Sequence, residues 1–255
     1  MTNSSKTNNP EKNWFGFKEI DENEKESLVR DVFDSVAPSY DVMNDAMSFG
    51  VHRLWKNRLI REINPRPHYN YLDVAGGTGD IAFKIQDKCK NEANITICDI
   101  NYEMLNVGRD RSIDRGQINN YNWVTGNAES LPIPSSSMDI YTISFGLRNV
   151  THIDDALKEA HRILRPGGRF YCLEFSHVTE PAISKIYDIY SNVLIPKMGE
   201  LIAKDKDSYQ YLIESIRQFP KQDDLKNRIS NAGFDNSKFI NLSHGIAAIH
   251  VGEKH

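Results

Sequence analysis

YLDVAGGTGD, residues 71–80, joins an apolar strand to a glycine-rich turn and then to the start of a helix. Glycine adopts backbone angles that other residues resist, and it lets a ligand come close to the main chain. The free N–H groups at the start of a helix also favour ligands at such a turn. The segment therefore predicts a strand, a turn and a helix with a ligand bound at the turn.

Short apolar segments alternate with helical patterns along the chain that follows. The runs YLDVA, ITICDI, YNWVTG, DIYTIS and FYCLEF are separated by helical patterns that begin near Asp80, Met104 and Asp154. Such alternation is typical of a parallel sheet with helices on its faces. Two last runs, KFINL and IAAIHV, flank a Ser-His-Gly turn, which predicts an antiparallel hairpin. We expect an α/β fold, with a doubly wound, mostly parallel seven-stranded sheet that ends in a C-terminal antiparallel hairpin.

The chain is long enough for one core, with 255 residues of which 39% are hydrophobic. Residues 1–13 are polar and rich in asparagine, which predicts a disordered tail. Residues 14–68 are predicted to form an N-terminal helical cap, in which apolar spacing indicates a helix over 22–37. The ligand-binding domain then spans residues 69–255, with a helical insertion at about 178–222.

A basic amphipathic helix is predicted near the end of the cap, from Val51 to Ile63. Val51, Leu54, Trp55 and Leu59 recur at helical spacing and are predicted to face the core. The polar and basic side chains are predicted to lie mostly on the other faces, and they are His52, Arg53, Lys56, Asn57 and Arg61.

Composition excludes several classes of protein. The net charge of −4 and the pI of about 6.1 argue against general affinity for nucleic acid, which needs a basic surface. Three cysteines without a C-x-x-C pair provide neither a disulfide framework nor a zinc site, and no histidine pair has the spacing of a metallohydrolase. No apolar run reaches the roughly 18 residues that span a bilayer. We expect a cytoplasmic protein without a bound metal.

The glycine turn by itself fits two classes of ligand. Gly77-x-Gly79-x-x-Ala82, followed by Asp99, satisfies the relaxed dinucleotide fingerprint and so allows an NAD-dependent oxidoreductase. Asp73 separates the two, because a carboxylate at the end of the first strand would repel a pyrophosphate and attract an ammonium group. S-adenosylmethionine carries an ammonium group and no phosphate, so the turn, Gly76 included, favours this cofactor.

Polar residues that follow the next strands complete the predicted cofactor site. Asp99 ends the second strand of the sheet, where its carboxylate can accept both hydroxyl protons of a ribose. Asn127 and Ala128 follow the third strand, and there they can read the edge of an adenine and leave room for its ring. Ser144 ends the strand DIYTIS at the edge where ligands bind in open α/β sheets.

Two longer patterns carry a resemblance to a known family. Tyr40-Asp41-x-Met43-Asn44-x-x-Met47-Ser48-x-x-x-His52-x-x-Trp55 resembles the first signature of the UbiE/COQ5 quinone-biosynthesis C-methyltransferases. Arg162-Ile-Leu-Arg165-Pro-Gly-Gly-Arg-Phe-Tyr-Cys-Leu-Glu174-Phe-Ser176 is similar to the second, and the blocks around Gly146–Val150 and Tyr209–Pro220 are similar to others. The resemblance covers about residue 22 to the end.

The resemblance implies a Rossmann-like class I S-adenosylmethionine-dependent methyltransferase. Its substrate would be a membrane-partitioned polyprenyl quinol, either a benzoquinol of ubiquinone synthesis or a demethylmenaquinol of menaquinone synthesis. The family's cofactor contacts map onto Thr78, Asp99, Asn127, Ala128 and Ser144. A homodimer and a complex with other quinone-biosynthesis proteins are compatible with the resemblance, and a non-catalytic scaffold of that pathway stays open as an alternative function.

Candidate catalytic residues lie just beyond Ser144. Arg148 stays protonated in proteins and is predicted to stabilise the phenolate of the acceptor, while Asn149 positions a ring oxygen. The acceptor is predicted to contact Tyr40, Asp41, Met43 and His52. The sequence does not rank the candidates for the general base, which are Tyr40, Asp41, His52, Glu174 and His177.

The basic helix from Val51 to Ile63 has a second predicted use. Its lysine and arginines beside apolar residues suit an anionic membrane surface, which would place the protein at the periphery of the inner membrane. A helix packed on the core with a solvated basic face is an equal alternative.

Overall fold

The computed structural model describes residues 13–15, 17–20, 27–29, 50–117, 120–180 and 206–255. The strands are β1 Asn13–Phe15, β2 Lys18–Ile20, β3 Asn70–Val74, β4 Asn94–Asp99, β5 Tyr121–Thr125, β6 Met138–Ser144, β7 Leu164–Phe175, β8 Asp235–Leu242 and β9 Ala247–Glu253. The helices are α1 His52–Ile63, α2 Asp80–Lys88, α3 Tyr102–Asp114, α4 Ile153–Ile163, α5 Lys206–Gln218 and α6 Gln222–Asn231. Single 3₁₀ turns cover Leu147–Asn149 and Ser243–Gly245.

Seven strands form one sheet in the order β5-β4-β3-β6-β7-β9-β8. Strands β3 to β7 pair in parallel, whereas β9 pairs antiparallel with both β7 and β8. The strand order reverses next to β3, so the carboxyl ends of β3 and its two neighbours open a crevice there. The predicted doubly wound sheet with a C-terminal antiparallel hairpin is confirmed.

Helices cover both faces of the sheet, which explains why its central strands are apolar along their whole length. On β3, Tyr71 packs into the core that contains residues of α1, α2 and α5, while Leu72 and Val74 pack into the core on the opposite face, beside α4 and α6. The polar residue among them, Asp73, is buried as well. A buried carboxylate in β3 is costly unless it has a partner, and the candidate site shows what that partner can be.

Helix α1 packs on the sheet through a wider face than the sequence predicts. Its buried residues are His52, Trp55, Lys56, Leu59, Ile60 and Ile63. Trp55 Nε1 donates a hydrogen bond of 2.9 Å to Ser243 Oγ, which ties the helix to the 3₁₀ turn between β8 and β9. The prediction was wrong for Leu54, which is 64% exposed, and for His52 and Lys56, which are buried. The helix contacts two surfaces, the sheet and the start of α2, so a single stripe does not describe it.

Several predictions on the flanking segments are tested only in part. The predicted tail 1–13 lies outside the described residues except for Asn13, and so does the helix over 22–37 except for residues 27–29, which are helical. Strands β1 and β2 pair as a small hairpin that the sequence analysis did not predict. Helix α5 lies within the predicted helical insertion, whose residues 181–205 are outside the described part. Among the described helices, none has the length and hydrophobicity needed to cross a membrane.

All three cysteines, Cys89, Cys98 and Cys172, are buried and free. Burial raises the pKa of each thiol, to about 12 in Cys98. They therefore serve as small apolar side chains of the core.

Candidate functional site

A cleft opens at the carboxyl ends of β3, β4, β5 and β6. It encloses about 1170 Å³ of empty space, open solvent at its mouth included. The structure brings to its wall all seven residues that the sequence predicts for the cofactor: Asp73, Gly76, Thr78, Asp99, Asn127, Ala128 and Ser144. Asn149 also lines it. This follows from the parallel sheet, which places the ends of successive strands at one edge.

Asp73 presents an unpaired oxygen to this cleft. Thr142 on the neighbouring strand donates a hydrogen bond of 2.7 Å to Asp73 Oδ1, whereas Oδ2 is buried without a hydrogen-bond partner in the described part of the chain. Burial raises the pKa of Asp73 to about 7, against the hydrogen bond from Thr142, and the charges of Asp80 and Asp99 add to the rise. A carboxylate in this state gains most from a cation supplied by a ligand.

The glycine turn provides the space in front of Asp73. A Cβ on Gly76 would lie 2.6 Å from Ile97 Cγ2 and 3.1 Å from Asp73 Oδ2, so a side chain there would fill the approach to the carboxylate. Gly79 precedes α2 with a φ of +83°, in the left-handed region that favours glycine. The turn thus stays open to a ligand and leads directly into the first turn of α2.

Asp99 is held at the end of β4 by backbone donors. Gly77 N and Asn101 N each donate a hydrogen bond of 2.8 Å, one to each carboxylate oxygen. Burial nevertheless raises its pKa to about 6, because it outweighs those hydrogen bonds. Each oxygen keeps a further lone pair, so the carboxylate can accept the two hydroxyl protons of a ribose.

A turn after β5 forms the far end of the cleft. Asn127 Oδ1 accepts a hydrogen bond of 2.9 Å from Glu129 N, and this contact bends the chain around Ala128. Glu129 Oε1 accepts hydrogen bonds from the backbone of Thr151 and His152, at 2.9 and 3.1 Å, just before α4. The small side chain of Ala128 leaves a flat space between these polar groups. Such a space suits an adenine ring.

Two hydroxyl groups complete the cofactor half of the cleft. Ser144 Oγ is buried and has no hydrogen-bond partner in the residues that the structure describes. Thr78 Oγ1 accepts a hydrogen bond of 2.9 Å from Arg111 Nη1, which leaves its own proton available to a ligand. Buried polar atoms without a partner are rare in native proteins and point to a missing ligand or water.

These features fit S-adenosylmethionine. The unpartnered oxygen of Asp73 can accept a hydrogen bond from an ammonium group, the carboxylate of Asp99 can accept hydrogen bonds from a ribose, and the turn at Ala128 has room for an adenine. The nicotinamide alternative fits less well, because a pyrophosphate over Gly76 would lie against Asp73. Within the described residues, no group of three or more potential ligands could hold a metal ion.

The other side of the cleft is formed by the loop after β6. Phe145 lines the cleft with a φ of +57°, which is uncommon for a residue with a side chain. Its ring packs on Trp55 and Phe175, with centroids 6.5 and 5.0 Å away. Asn149 Oδ1 accepts a hydrogen bond of 3.0 Å from the hydroxyl of Tyr211 on α5. Burial raises the pKa of Tyr211, and the charge of Arg148 works in the opposite direction.

Arg148 lies beneath this loop and is not among the residues that line the cleft. Its Nη1 donates to Glu174 Oε1 at 2.8 Å and to the carbonyl of Phe145, and both charged side chains are buried. Nε and Nη2 lack a hydrogen-bond partner in the described residues. These contacts hold the strained backbone at Phe145 in place. That Arg148 also stabilises a phenolate stays a prediction.

The remaining candidates divide into two groups. Tyr40, Asp41 and Met43 lie outside the described residues. His52 is buried on α1, where its charge acts on Asp80, and it does not line the cleft. His177 forms a hydrogen bond of 2.8 Å to the carbonyl of Phe219, and Glu174 pairs with Arg148, so the described structure places neither at the cleft wall.

The charged residues of the wall that sequence reasoning missed include Lys56 and Asp80. Their side chains form an ion pair of 2.8 Å in which Lys56 is only 6% exposed. Asp80 could have been recognised, because it ends the glycine turn that decides the fold. Lys56 could not, since the helical pattern assigned it to a solvated face.

Comparison with known proteins gives concordant results. Residues 20–254 match the ubiE/COQ5 methyltransferase family. The chain is 54% identical over 242 residues to the ubiquinone/menaquinone biosynthesis C-methyltransferase UbiE of Brucella suis biovar 1, and the match covers 94% of this chain and 90% of that protein.

Solved structures share the fold at low identity. An S-adenosylmethionine-dependent methyltransferase of Thermotoga maritima, described as a possible histamine N-methyltransferase, superposes with a TM-score of 0.60 at 20% identity and covers 88% of this chain and 99% of its own. A second S-adenosylmethionine-dependent methyltransferase, from Aquifex aeolicus, superposes with a TM-score of 0.58 at 12% identity, and the match covers 92% of this chain and 98% of that one.

Proposed function

Because the chain belongs to the ubiE/COQ5 methyltransferase family, we propose that it methylates a ring carbon of a polyprenylated benzoquinol, a demethylmenaquinol or both. The enzyme is an S-adenosylmethionine-dependent C-methyltransferase. Its place in ubiquinone and menaquinone biosynthesis is supported by the relative from Brucella suis, which carries that name at 54% identity.

The observation that carries this function is the orphan oxygen of Asp73 in a cleft at the sheet edge. When bound, S-adenosylmethionine supplies an electrophilic methyl group on a sulfonium. Asp73 would hold the ammonium of that cofactor, Asp99 its ribose, and the turn at Asn127 and Ala128 its adenine. The hydroxyls of Thr78 and Ser144 would form hydrogen bonds to other polar groups of the cofactor. Together these residues fix the orientation of the donor, which is the main contribution of such a site.

The acceptor would lie beside Phe145 and Asn149. The ring of Phe145 offers an apolar surface for an aromatic substrate, and the amide of Asn149, oriented by Tyr211, can donate to a ring oxygen. A ring carbon becomes nucleophilic when the neighbouring phenol loses its proton. The ring of Phe145, which packs on Trp55 and Phe175, would exclude water from this step.

Methyl transfer from labelled S-adenosylmethionine tests this function. Purified protein is incubated in parallel with a short-tailed demethylmenaquinol and with 2-polyprenyl-6-methoxy-benzoquinol, both kept reduced. Label in either product confirms the reaction and identifies the pathway, and label in both indicates a dual role. Failure on both, with cofactor binding demonstrated by calorimetry, would overturn the proposed acceptors and leave the cofactor site intact.

Contact with a membrane surface is a second part of the proposal, because the acceptor carries an isoprenoid tail. The outer side of α1 exposes Leu54 between the basic residues Arg53, Arg58 and Arg61. Anionic vesicles should therefore retain the protein in a flotation assay, and Leu54→Ser should reduce that binding severalfold. Ile113→Ser is the matched control, since Ile113 is 52% exposed on α3. Equal loss in both variants would refute the role of α1. The homodimer and the complex with pathway enzymes stay predictions.

A further inference from the structure

Helix α1 brings a buried cation into a corner of the cleft that is otherwise acidic. Asp73, Asp80 and Asp99 all line the cleft, and so does Lys56. Among the described residues of the wall, Lys56 is the sole lysine or arginine. Lys56 Nζ lies 2.8 Å from Asp80 Oδ2 and 6.0 Å from the centre of the Phe145 ring. It therefore stands between the cofactor half of the cleft and the loop of the proposed acceptor half.

Lys56, Asp80 and Asp73 influence one another electrostatically. Burial works to raise the pKa of Asp80, but the charge of Lys56, its hydrogen bond, and the charges of Lys84 and His52 hold it below its usual value. The charge of Asp80 in turn contributes to the raised pKa of Asp73. Lys56 forms an ion pair with Asp80, and Lys56, Asp80 and Asp73 line the same cleft, so an amino-acid group that carries both charges has a partner there for each.

The cofactor carries such a group. S-adenosylmethionine ends in an α-amino acid, whose ammonium is accounted for by Asp73 and whose carboxylate has no counterion among the residues described above. Entering a corner with the buried Asp73 and Asp99 and the partly exposed Asp80, that carboxylate needs a cation. The ammonium group of Lys56 has three N–H donors, of which one serves Asp80, so it can also serve a ligand.

We propose that Lys56 binds the carboxylate of the cofactor's amino-acid group, with Asp80 holding its ammonium in place. The inference rests on S-adenosylmethionine as the cofactor, but not on the identity of the acceptor. It gives α1 a defined part in the cofactor site: this helix, which precedes the sheet in sequence, supplies the cation that the strand ends lack. Binding of the donor would then be coupled to the docking of α1 on α2.

Calorimetry without an acceptor tests the inference with two ligands, S-adenosylmethionine and decarboxylated S-adenosylmethionine. We expect Lys56→Met to weaken the binding of S-adenosylmethionine by about 10- to 100-fold, as for a lost charge-assisted hydrogen bond. The second ligand lacks the carboxylate, so its affinity should change less than about threefold. Lys84→Met is the matched control, because Lys84 Nζ lies 4.0 Å from the other oxygen of Asp80 and does not line the cleft. It should leave both affinities nearly unchanged.

Equal loss for both ligands in Lys56→Met would overturn the inference, because it would show that Lys56 acts only through Asp80. Two measurements remain decisive if that variant does not fold. The parent should bind the decarboxylated ligand at least tenfold more weakly than S-adenosylmethionine, and equal affinities would refute the role of Lys56. Lys56→Arg should keep most of the difference. If the parent bound neither ligand, the cofactor assignment itself would fail, whereas failure of the methyl-transfer assay alone would concern only the acceptor.

Discussion

Replacement of Asp73 by asparagine separates the stability of the fold from its affinity for the cofactor. The substitution keeps the side-chain shape and the acceptor for Thr142, which donates to Oδ1 at 2.7 Å. It removes the charge of a buried carboxylate whose Oδ2 has no partner in the described residues. We expect Asp73→Asn to stabilise the ligand-free protein at alkaline pH and to weaken the binding of S-adenosylmethionine.

The size of the stability effect follows from the pKa. Burial raises the pKa of Asp73 from 3.8 to about 7. The folded protein therefore holds this proton more tightly than the unfolded chain, so the contribution is full below about pH 4 and is lost as the pH rises to about 7. At about 1.4 kcal/mol per pH unit, the loss is as much as about 4 kcal/mol. The asparagine variant lacks this loss.

Urea unfolding at two pH values measures this pH-dependent loss of stability. The free energy of unfolding of Asp73→Asn, relative to the parent, should increase by about 2 kcal/mol between pH 5.5 and pH 8. Calorimetry at pH 7.5 should show a cofactor dissociation constant that is about 10- to 150-fold higher, as for a lost charged hydrogen bond. Asp110→Asn, an exposed residue of α3, is the control and should change neither quantity. Affinity within threefold of the parent, or a stability difference independent of pH, would refute the reasoning.

Three further substitutions probe the rest of the site. Gly76→Ala should lower cofactor affinity at least about tenfold, because its Cβ would lie 2.6 Å from Ile97 Cγ2 and 3.1 Å from Asp73 Oδ2; parental affinity by calorimetry would contradict the close approach. Ser144→Ala removes a buried hydroxyl that has no hydrogen-bond partner in the described residues, so the cofactor dissociation constant should rise about 3- to 10-fold while the melting temperature stays within about 2 °C of the parent's. An unchanged dissociation constant would show that Ser144 does not contact the cofactor. Glu174→Gln leaves the charge of Arg148 buried and uncompensated, so the free energy of unfolding in urea should fall by about 3–5 kcal/mol. The control Glu180→Gln, at an exposed residue, should lower it by about 0.5 kcal/mol or less. A loss under about 1 kcal/mol in Glu174→Gln would show that the ion pair does not hold the loop in place.

The cofactor half of the site could be predicted from sequence because the fold itself assembles it. Asp99 and Ser144 end their strands and Asp73 is the penultimate residue of β3, and in a parallel sheet such residues meet at one edge. A reader of the sequence needs only the order of strands and helices to bring together residues more than 70 positions apart. The glycine turn adds the direction from which the ligand approaches.

The positions of two basic side chains, Lys56 and Arg148, depend on contacts that no periodic pattern encodes. Lys56 was assigned to a solvated face, but α1 also packs against the start of α2, where Asp80 neutralises it. Arg148 donates to Glu174 and to the Phe145 carbonyl, so its guanidinium lies beneath the loop and not on the cleft wall. In both residues a long side chain follows a partner that is distant in sequence. The partner, which spacing does not reveal, decides where the charge lies.

The buried cysteines make this enzyme convenient for site-specific spectroscopy. Cys89, Cys98 and Cys172 are enclosed in the core, and their raised pKa values keep the nucleophilic thiolate scarce at neutral pH. A maleimide should therefore spare all three in the native state. Leu54→Cys, on the exposed side of α1, would then accept a fluorophore or spin label without removal of any native cysteine. The label would report, in the same sample, on lipid contact at this helix and on the arrival of the cofactor at Lys56 on its opposite side.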